Sequence, residues 1–397
     1  MEFEAKVLRI LPGGLVVLDR TYFYPRSGGE EPDHGTMNGS RVVDVDKVSN
    51  IVIHKVENPS FREGEVVHCT IDWERRRQLT VHHTATHIVN AACREVLGQH
   101  IWQAGAFKDV DLARLDVTHY ERIESDQLRR IEELSNQIIS RGIPVHKEFM
   151  QRGEAEAKFG FRLYQGGAPP GRVIRVVNIE GVDVEACGGT HLDNTREAGL
   201  LIILRSERIQ DGICRLEFAA GDAALRRLRE KRDLLSEACG ILRVEEDKLP
   251  STVKRFFEEW KRRGKQIERL RSSLSKLLAE RLEERSWRFR SLEAITEIID
   301  ETDPEVVSAV AQGLCRDNRV VVLIARDRSE DRAYVATAAG SKAVSAGINA
   351  GEMARTVSKK LGGGGGGKPN IGRGAGRCLD CESALEAARE VILGVQR

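Results

Sequence analysis

RQLTVHHTATHIVNAACREVL, residues 77–97, is the first long segment of this chain whose apolar residues recur at helical spacing, and Gly98 is predicted to end the helix. Four further segments with a regular pattern follow: strands at 113–118, 173–179 and 200–205, and an amphipathic helix at 124–141. Their order predicts helices packed on a mostly antiparallel sheet, an α+β architecture.

Two pairs of candidate metal ligands stand far apart in the chain. His83 and His87 are four residues apart on the predicted helix, so their imidazoles share one face. Cys187 and His191 repeat that spacing between two apolar segments. Either pair alone is common without a metal, but together they supply three nitrogens and a sulfur, which suit Zn²⁺. The sequence predicts one zinc ion per chain. Four protein ligands are typical of structural zinc and three of catalytic zinc, so its role stays open.

The N-terminal region, residues 1–75, has short β-branched runs separated by Gly, Pro and Asp turns. The predicted strands are 7–10, 15–18, 42–45, 51–55 and 66–71. This pattern predicts a small antiparallel barrel or sandwich. Gly28 and Gly29 mark a turn, which is either a plain hairpin or a place where backbone amides approach a ligand.

Long charged helices are predicted from 222 to about 300. Their apolar residues at helical spacing are Val253, Phe256, Phe257, Trp260, Ile267, Leu270, Leu274 and Leu277. An intramolecular hairpin and a coiled-coil homodimer are equally compatible with this stripe. Residues 251–290 hold 13 Lys or Arg against 6 Glu, an excess that RNA phosphates would attract.

The last region, 301–397, alternates strands at 319–325 and 333–337 with helices at 348–360 and 383–393, which predicts an α/β domain. Six glycines, 362–367, precede Lys368. They are predicted to form a flexible run of amide donors suited to an anion such as phosphate, with a disordered linker as the alternative. The predicted domains are therefore 1–75, 76–221, 222–300 and 301–397.

Composition adds few constraints. The 397 residues carry 62 basic and 61 acidic side chains, so any nucleic-acid-binding surface must be local. No apolar run approaches the roughly 18 residues that a membrane span needs, and the N-terminus does not resemble a signal peptide. We therefore predict a cytoplasmic protein whose eight cysteines are mostly reduced.

Four stretches carry a resemblance to a known family. HHTATH at 82–87, DVEACGGTHLDNT at 183–195 and FYPRSGGEEPDHG at 23–35 resemble the editing domain of alanyl-tRNA synthetases and of the freestanding alanyl-tRNA editing proteins called AlaX. LGGGGGGKPN at 361–370 is similar to the glycine-rich segment of the DHHA1-type domain that the long form of AlaX also carries. The resemblance covers nearly the whole chain.

This resemblance implies a zinc-dependent hydrolase that removes serine, and also glycine, from mischarged tRNA(Ala). Because the chain shows no synthetase active site, we expect it to hydrolyse rather than to aminoacylate. The alternative is a tRNA-binding or assembly protein with a purely structural zinc. A hydrolase of small phosphorylated molecules ranks last, since the C-terminal region has no Asp and His cluster for a second metal centre.

Candidate site residues follow from their places in the motifs. The residues expected to distinguish serine from alanine are Thr84, Thr86 and Gln103, each of which has a structural hydrogen bond as its alternative. Those expected near the substrate are Gly28, Gly29, Gly188 and Gly189, and those expected to bind tRNA are Gly364, Gly365, Gly366, Gly367 and Lys368.

Two positions depart from the family pattern. Glu30 stands where the family has glutamine, and a carboxylate repels phosphate. Lys368-Pro369-Asn370 replaces Arg-Pro-Asp, which keeps the charge but loses the bidentate guanidinium.

His82 points about 100° away from His83 around the helix and is predicted to pack rather than to bind metal. Cys378 and Cys381 form a lone pair with no partner pair and are not predicted to bind metal.

Overall fold

The computed structural model describes residues 1–300, 303–327, 330–377 and 380–394. The chain separates into two compact units, Met1–Ile241 and Leu242–Arg397. Among the described residues, no helix is both long enough and apolar enough to cross a membrane.

The first unit begins with a closed six-stranded barrel, which confirms the barrel alternative of the sequence prediction. Alternating residues point inward, as Ala5 and Val7 do on the first strand. Around the barrel the strand order is β1-β2-β5-β4-β3-β6. The strands are β1 Glu2–Leu11, β2 Leu15–Leu18, β3 Gly35–Met37, β4 Ser40–Val48, β5 Ile51–Val56 and β6 Val66–Ile71. The sequence pattern missed β3, because three residues are too few to show an alternation.

Helix α1, Trp73–Leu97, follows the barrel directly and is the central element of the unit. It begins four residues before the predicted start, because the Asp72 side chain accepts a hydrogen bond from the Arg75 amide and caps the helix there. It ends before Gly98, as predicted. Almost every side chain between Gln78 and Arg94 is buried, so α1 is packed on all sides.

Two antiparallel sheets and three helices complete this unit. One sheet has the order β12-β13-β8-β7 and the other β11-β10-β9. Their strands are β7 Gln103–Lys108, β8 Ala113–Thr118, β9 Val145–Gln151, β10 Val173–Ile179, β11 Asp183–Ala186, β12 Leu201–Gln210 and β13 Ile213–Ala220; the helices are α2 Ser125–Arg141, α3 Arg152–Phe159 and α4 Asp222–Leu242. One apolar core joins residues of α1, α2, β8 and β13, so helices pack on an antiparallel sheet as predicted.

The second unit is built on a six-stranded mixed sheet of order β14-β15-β16-β17-β19-β18. The elements are α5 Leu249–Glu283, β14 Trp287–Phe289, β15 Leu292–Ile299, α6 Pro304–Leu314, β16 Arg319–Asp327, β17 Arg332–Ala339, α7 Ser341–Ser345, α8 Ala350–Lys360, β18 Gly364–Lys368, β19 Ile371–Gly376 and α9 Cys381–Gly394. Successive residues of β16, such as Val320 and Val321, point to opposite faces of the sheet and enter separate cores. Burial on both faces explains the continuous apolar run of this strand.

The apolar stripe of α5 is exposed over most of its length. Two aromatic residues of the stripe, Phe257 and Trp260, have 54% and 69% of their surface accessible to solvent. The helical hairpin and the coiled-coil dimer therefore both stay predictions.

The glycine run is ordered, and the expectation of a flexible segment or disordered linker is wrong for its described strand. Gly364–Lys368 is an edge strand paired in antiparallel register with β19. Helix α8 lies directly on this backbone: a Cβ added at Gly351 would stand 2.5 Å from the Gly367 carbonyl oxygen, and one at Gly372 would stand 2.4 Å from the Ala350 oxygen. Within the run, a Cβ at Gly365 would stand 2.8 Å from the Ala354 oxygen, whereas one at Gly364 would meet nothing within 4 Å, so close packing against α8 excludes a side chain at position 365 in particular.

Replacing Gly351 by alanine should destabilise the second unit by about 1–3 kcal/mol, because the new methyl group meets backbone that cannot rotate away. Gly264 on α5 is the matched control, since a Cβ there meets nothing within 4 Å. Gly264→Ala should instead stabilise by about 0.5–1 kcal/mol through helix propensity. Urea unfolding followed by circular dichroism measures both changes, and equal effects of the two substitutions would refute the packing argument.

Candidate metal centre

The structure brings the four predicted ligands to one point. The ligand atoms of His83, His87, Cys187 and His191 all lie within 4.8 Å of one another. The two histidines of α1 are one turn apart, and the other two ligands come from the loop after β11. The Cys187 Sγ lies 3.3 Å from Nε2 of His83 and 3.3 Å from Nε2 of His191. The three histidines are buried, and the Cys187 residue is partly exposed.

Each imidazole is held by a second residue at its Nδ1 atom. His83 Nδ1 lies 2.6 Å from Glu30 Oε2, His87 Nδ1 lies 3.1 Å from Asp183 Oδ2, and His191 Nδ1 lies 3.3 Å from Thr84 Oγ1. A partner that accepts the Nδ1 proton leaves Nε2 unprotonated and fixes the ring orientation. All three Nε2 atoms are therefore available to one ion.

The backbone of the Cys-His loop is fixed by close contacts. Arg175 Nη1 donates to the carbonyl oxygens of Cys187 and Gly189, at 2.9 and 2.8 Å. A Cβ at Gly189 would lie 1.9 Å from Cε1 of His83, whereas one at Gly188 would meet nothing within 4 Å. Only a glycine at position 189 lets the loop approach His83 this closely.

Glu30 belongs to the centre and not to the protein surface. It is 1% exposed, and besides His83 it accepts hydrogen bonds from the Thr190 amide at 3.0 Å and from the Thr190 hydroxyl. Burial raises the pKa of Glu30 above its ordinary value, although the Thr190 hydrogen bonds oppose the change. From the sequence alone, Glu30 was interpreted only as a carboxylate that repels phosphate, and its contact with His83 was missed.

A pair of buried carboxylates supports His87. Asp183 pairs with Arg94, and Glu185 accepts from Asn90 Nδ2 at 2.9 Å and lies 3.5 Å from His87 Nε2. Burial, reinforced by the nearby Asp183 carboxylate, raises the pKa of Glu185 to about 8. The sequence contained a signal for both, because residues 183 and 185 alternate along β11 and therefore share a face, two residues before Cys187.

The residues expected to read the substrate have different surroundings. The Thr84 hydroxyl contacts His191 and accepts from the Leu192 amide at 3.1 Å. The Thr86 hydroxyl donates to the His82 carbonyl at 2.7 Å. Gln103 lies on β7, and its side-chain amide makes no hydrogen bond to the described residues. Of the three, Gln103 is the one whose polar group is free for a ligand.

The remaining residues that the sequence singled out lie as follows. Gly28 and Gly29 have φ of 58° and 73° in the turn that leads into Glu30. His82 hydrogen-bonds to the Asp109 carbonyl at 2.5 Å and to Gln78 at 3.1 Å, so it packs away from the centre as predicted. Cys381 is buried, and Cys378 lies outside the described residues, as does the CxxC pair that would include it.

The donor set fits Zn²⁺. A tetrahedral zinc ion with bonds of about 2.0–2.3 Å keeps its ligand atoms about 3.3–3.7 Å apart, which the 3.3 Å contacts of Cys187 Sγ already match. Although burial opposes ionisation, His83 and His87 hold the pKa of Cys187 well below its ordinary value, which favours the thiolate that a metal requires.

Three family models match parts of this chain. Residues 174–217 match the threonyl and alanyl tRNA synthetase second additional domain, residues 1–75 match class II (A) tRNA synthetases, and residues 292–394 match the DHHA1 domain. The first match contains Cys187 and His191.

Curated relatives extend the likeness to nearly the whole chain. An alanine–tRNA ligase of Methanopyrus kandleri is 47% identical over 96% of this chain, and one of Pyrococcus abyssi is 45% identical over 98%. Over nearly its whole length, the chain is therefore similar to part of these alanine–tRNA ligases. It spans 42% of the length of each of these two ligases. Among solved structures, the C-Ala domain of Aquifex aeolicus alanyl-tRNA synthetase matches 28% of this chain and 98% of that domain, at 24% identity and a TM-score of 0.26.

Gly189→Ala should lower zinc affinity by at least about tenfold, because the methyl group would displace the His83 ring. Gly188→Ala is the matched control and should bind zinc like the wild type. Zinc content by mass spectrometry, together with competition against a chelator, measures both. Stoichiometric, tight zinc in Gly189→Ala would show that His83 is not a ligand.

Proposed function

We propose that this chain hydrolyses the ester bond of tRNA(Ala) mischarged with serine, and also with glycine, using one zinc ion. The observation that carries the proposal is the convergence of Cys187 Sγ and three imidazole Nε2 atoms, each imidazole being fixed by a second residue. Support also comes from the match to the second additional domain of threonyl and alanyl synthetases. The place of such a reaction is the cytoplasm, where tRNA is used.

His83, His87, Cys187 and His191 would hold the zinc ion. When bound, zinc supplies a Lewis acid that polarises a carbonyl or lowers the pKa of a water molecule. The chain's own residues orient the imidazoles and exclude bulk water, since the histidines are buried. The substrate would enter on the side of Cys187, which is partly exposed.

Discrimination against alanine requires a group that hydrogen-bonds the serine hydroxyl. A buried polar site left unpaired by alanine disfavours alanyl-tRNA by about 10⁴-fold or more. Gln103 is our candidate, because its side-chain amide has no hydrogen-bond partner among the described residues. Thr84 and Thr86 act instead through the ligand His191 and the helix backbone.

Binding of tRNA would involve the second unit. The backbone of β18, Gly364–Lys368, lies at the edge of its sheet and ends in a cation, and α5 carries many basic side chains. We propose that these surfaces contact RNA phosphates, and that the exposed apolar stripe of α5 pairs with a second copy of the chain.

A purely structural zinc is the second candidate, and one observation favours it. Four protein ligands leave no open position on a tetrahedral ion, as is usual in structural sites. In that case the chain would bind tRNA or assemble with other molecules without hydrolysing anything.

The test compares Ser-tRNA(Ala) with Ala-tRNA(Ala) as substrates, with and without a zinc chelator. Wild type should release serine and spare alanine, and His87→Ala should lose activity by at least about 100-fold because one ligand is missing. His146→Ala is the control, since His146 is an exposed histidine of β9 outside the centre. Full activity of a folded, zinc-free His87→Ala protein would refute zinc-dependent editing, and no release by wild type would favour the structural zinc.

A further inference from the structure

Lys108 is a fully buried lysine beside the metal centre. It ends strand β7 and is only 2% exposed, which places it among the largest fully buried side chains of the described chain. Lysine is rarely buried to this extent unless its charge is compensated or used.

The hydrogen bonds of Lys108 are incomplete. Its Nζ donates to the Gly28 carbonyl oxygen at 2.9 Å and makes no other hydrogen bond to the described residues. No carboxylate oxygen of the described chain lies within 4.0 Å of Nζ, so the lysine forms no ion pair there. An ammonium group has three N–H donors, and two of them are therefore free.

Backbone contacts fix the strand end from which the Lys108 side chain extends. The Lys108 amide donates to the Gly29 carbonyl at 2.7 Å, and the Glu31 amide donates to the Lys108 carbonyl at 3.1 Å. A Cβ at Gly29 would lie 1.9 Å from the Ala106 oxygen, so the turn is clamped onto β7. The same clamp positions Glu30, whose carboxylate holds His83.

The Lys108 side chain affects the pKa values of two candidate ligands. It lowers the pKa values of His83 and His191 in addition to the larger effect of burial. Burial also lowers the pKa of Lys108 itself, while Cys187 and Glu30 oppose that change. In the geometry, the backbone of Lys108 pairs with that of Glu30, whose Oε2 atom lies 2.6 Å from His83 Nδ1, so Lys108 is next to a residue that contacts a candidate ligand.

We propose that Lys108 is a catalytic residue that donates a hydrogen bond to the carbonyl oxygen of the scissile ester and to the oxyanion formed from it. This inference rests on the proposed hydrolysis. A free donor that is buried and rigidly held is suited to an oxygen that gains negative charge during the reaction. Gly28 keeps one N–H of the ammonium occupied and leaves the other two for the substrate.

The reaction step balances with water as the only co-reactant. A water oxygen bonds to the ester carbon, and the carbonyl π electrons move to the oxygen beside Lys108. The carbonyl bond then re-forms as the bond to the ribose oxygen breaks, and the ribose oxygen takes the proton released by the water. The products are the free amino acid and the tRNA hydroxyl, and no proton is transferred to or from Lys108.

Steady-state kinetics of the Lys108→Met protein, compared with the wild type, test whether Lys108 stabilises the oxyanion. We expect kcat for Ser-tRNA(Ala) to fall about 100- to 1000-fold, with KM and zinc content nearly unchanged, because one oxyanion donor is lost. Lys108→Arg, which keeps a cationic donor, should recover part of kcat. Lys158→Met is the control, since Lys158 is an exposed lysine of α3 and should not affect the rate. A folded, zinc-loaded Lys108→Met protein with wild-type kcat would overturn the proposal.

Binding of two adenosine analogues separates this inference from the proposed function. A seryl phosphonate ester mimics the anionic tetrahedral intermediate, and a seryl amide mimics the neutral ester. Lys108→Met should weaken phosphonate binding about 100-fold more than amide binding. A crystal structure of wild type with the phosphonate should place Lys108 Nζ about 2.7–3.1 Å from a phosphonate oxygen, whether or not the variant folds.

The outcomes are distinct. If wild type binds the phosphonate through Lys108 but does not hydrolyse Ser-tRNA(Ala), the proposed function is wrong and the contact stands. If wild type hydrolyses the ester while Lys108 lies more than about 5 Å from the phosphonate, the contact is wrong and the function stands. If wild type binds neither analogue and releases no serine, both are wrong.

Discussion

The first unit depends on a single constraint: two segments far apart in the chain must bring four side chains to within the span of one ion. Helix α1 meets this constraint because it is buried on nearly all sides and cannot shift its two histidines. The Cys-His loop meets it because Gly189 lies against the His83 ring and Arg175 fixes the loop backbone. The sheets and the barrel are arranged around this meeting point.

The residues behind the ligands connect the barrel to the centre. Glu30 comes from the turn after β2, yet it contacts both His83 and the Thr190 backbone. Lys108 clamps that same turn from the other side. Buried acidic and basic side chains thus lie next to the candidate ligands, and a change in the barrel turn would alter the orientation of His83. This coupling explains why a motif near the N-terminus belongs to the same site as the helix and the loop.

Helical periodicity predicted that His83 and His87 share a face of α1, and the structure brings them together with Cys187 and His191 as candidate ligands. Strands whose residues alternate, such as 113–118 and 173–179, were also predicted with their observed bounds. Contacts set by tertiary packing were not predictable in this way. The place of Glu30 and Lys108 depends on how a turn lies against β7, and no local pattern records that. The glycine run was misread because local composition indicates freedom, whereas α8 packed on the strands requires the absence of side chains.

X-ray absorption spectroscopy of the zinc-loaded protein would show whether these four side chains bind one ion. We expect a four-coordinate zinc with one sulfur at about 2.3 Å and three nitrogens at about 2.0–2.1 Å. Substitution of Cys187 by serine should remove the sulfur contribution. A spectrum of the wild-type protein with no sulfur ligand, or with two, would contradict the convergence of these four side chains on one ion.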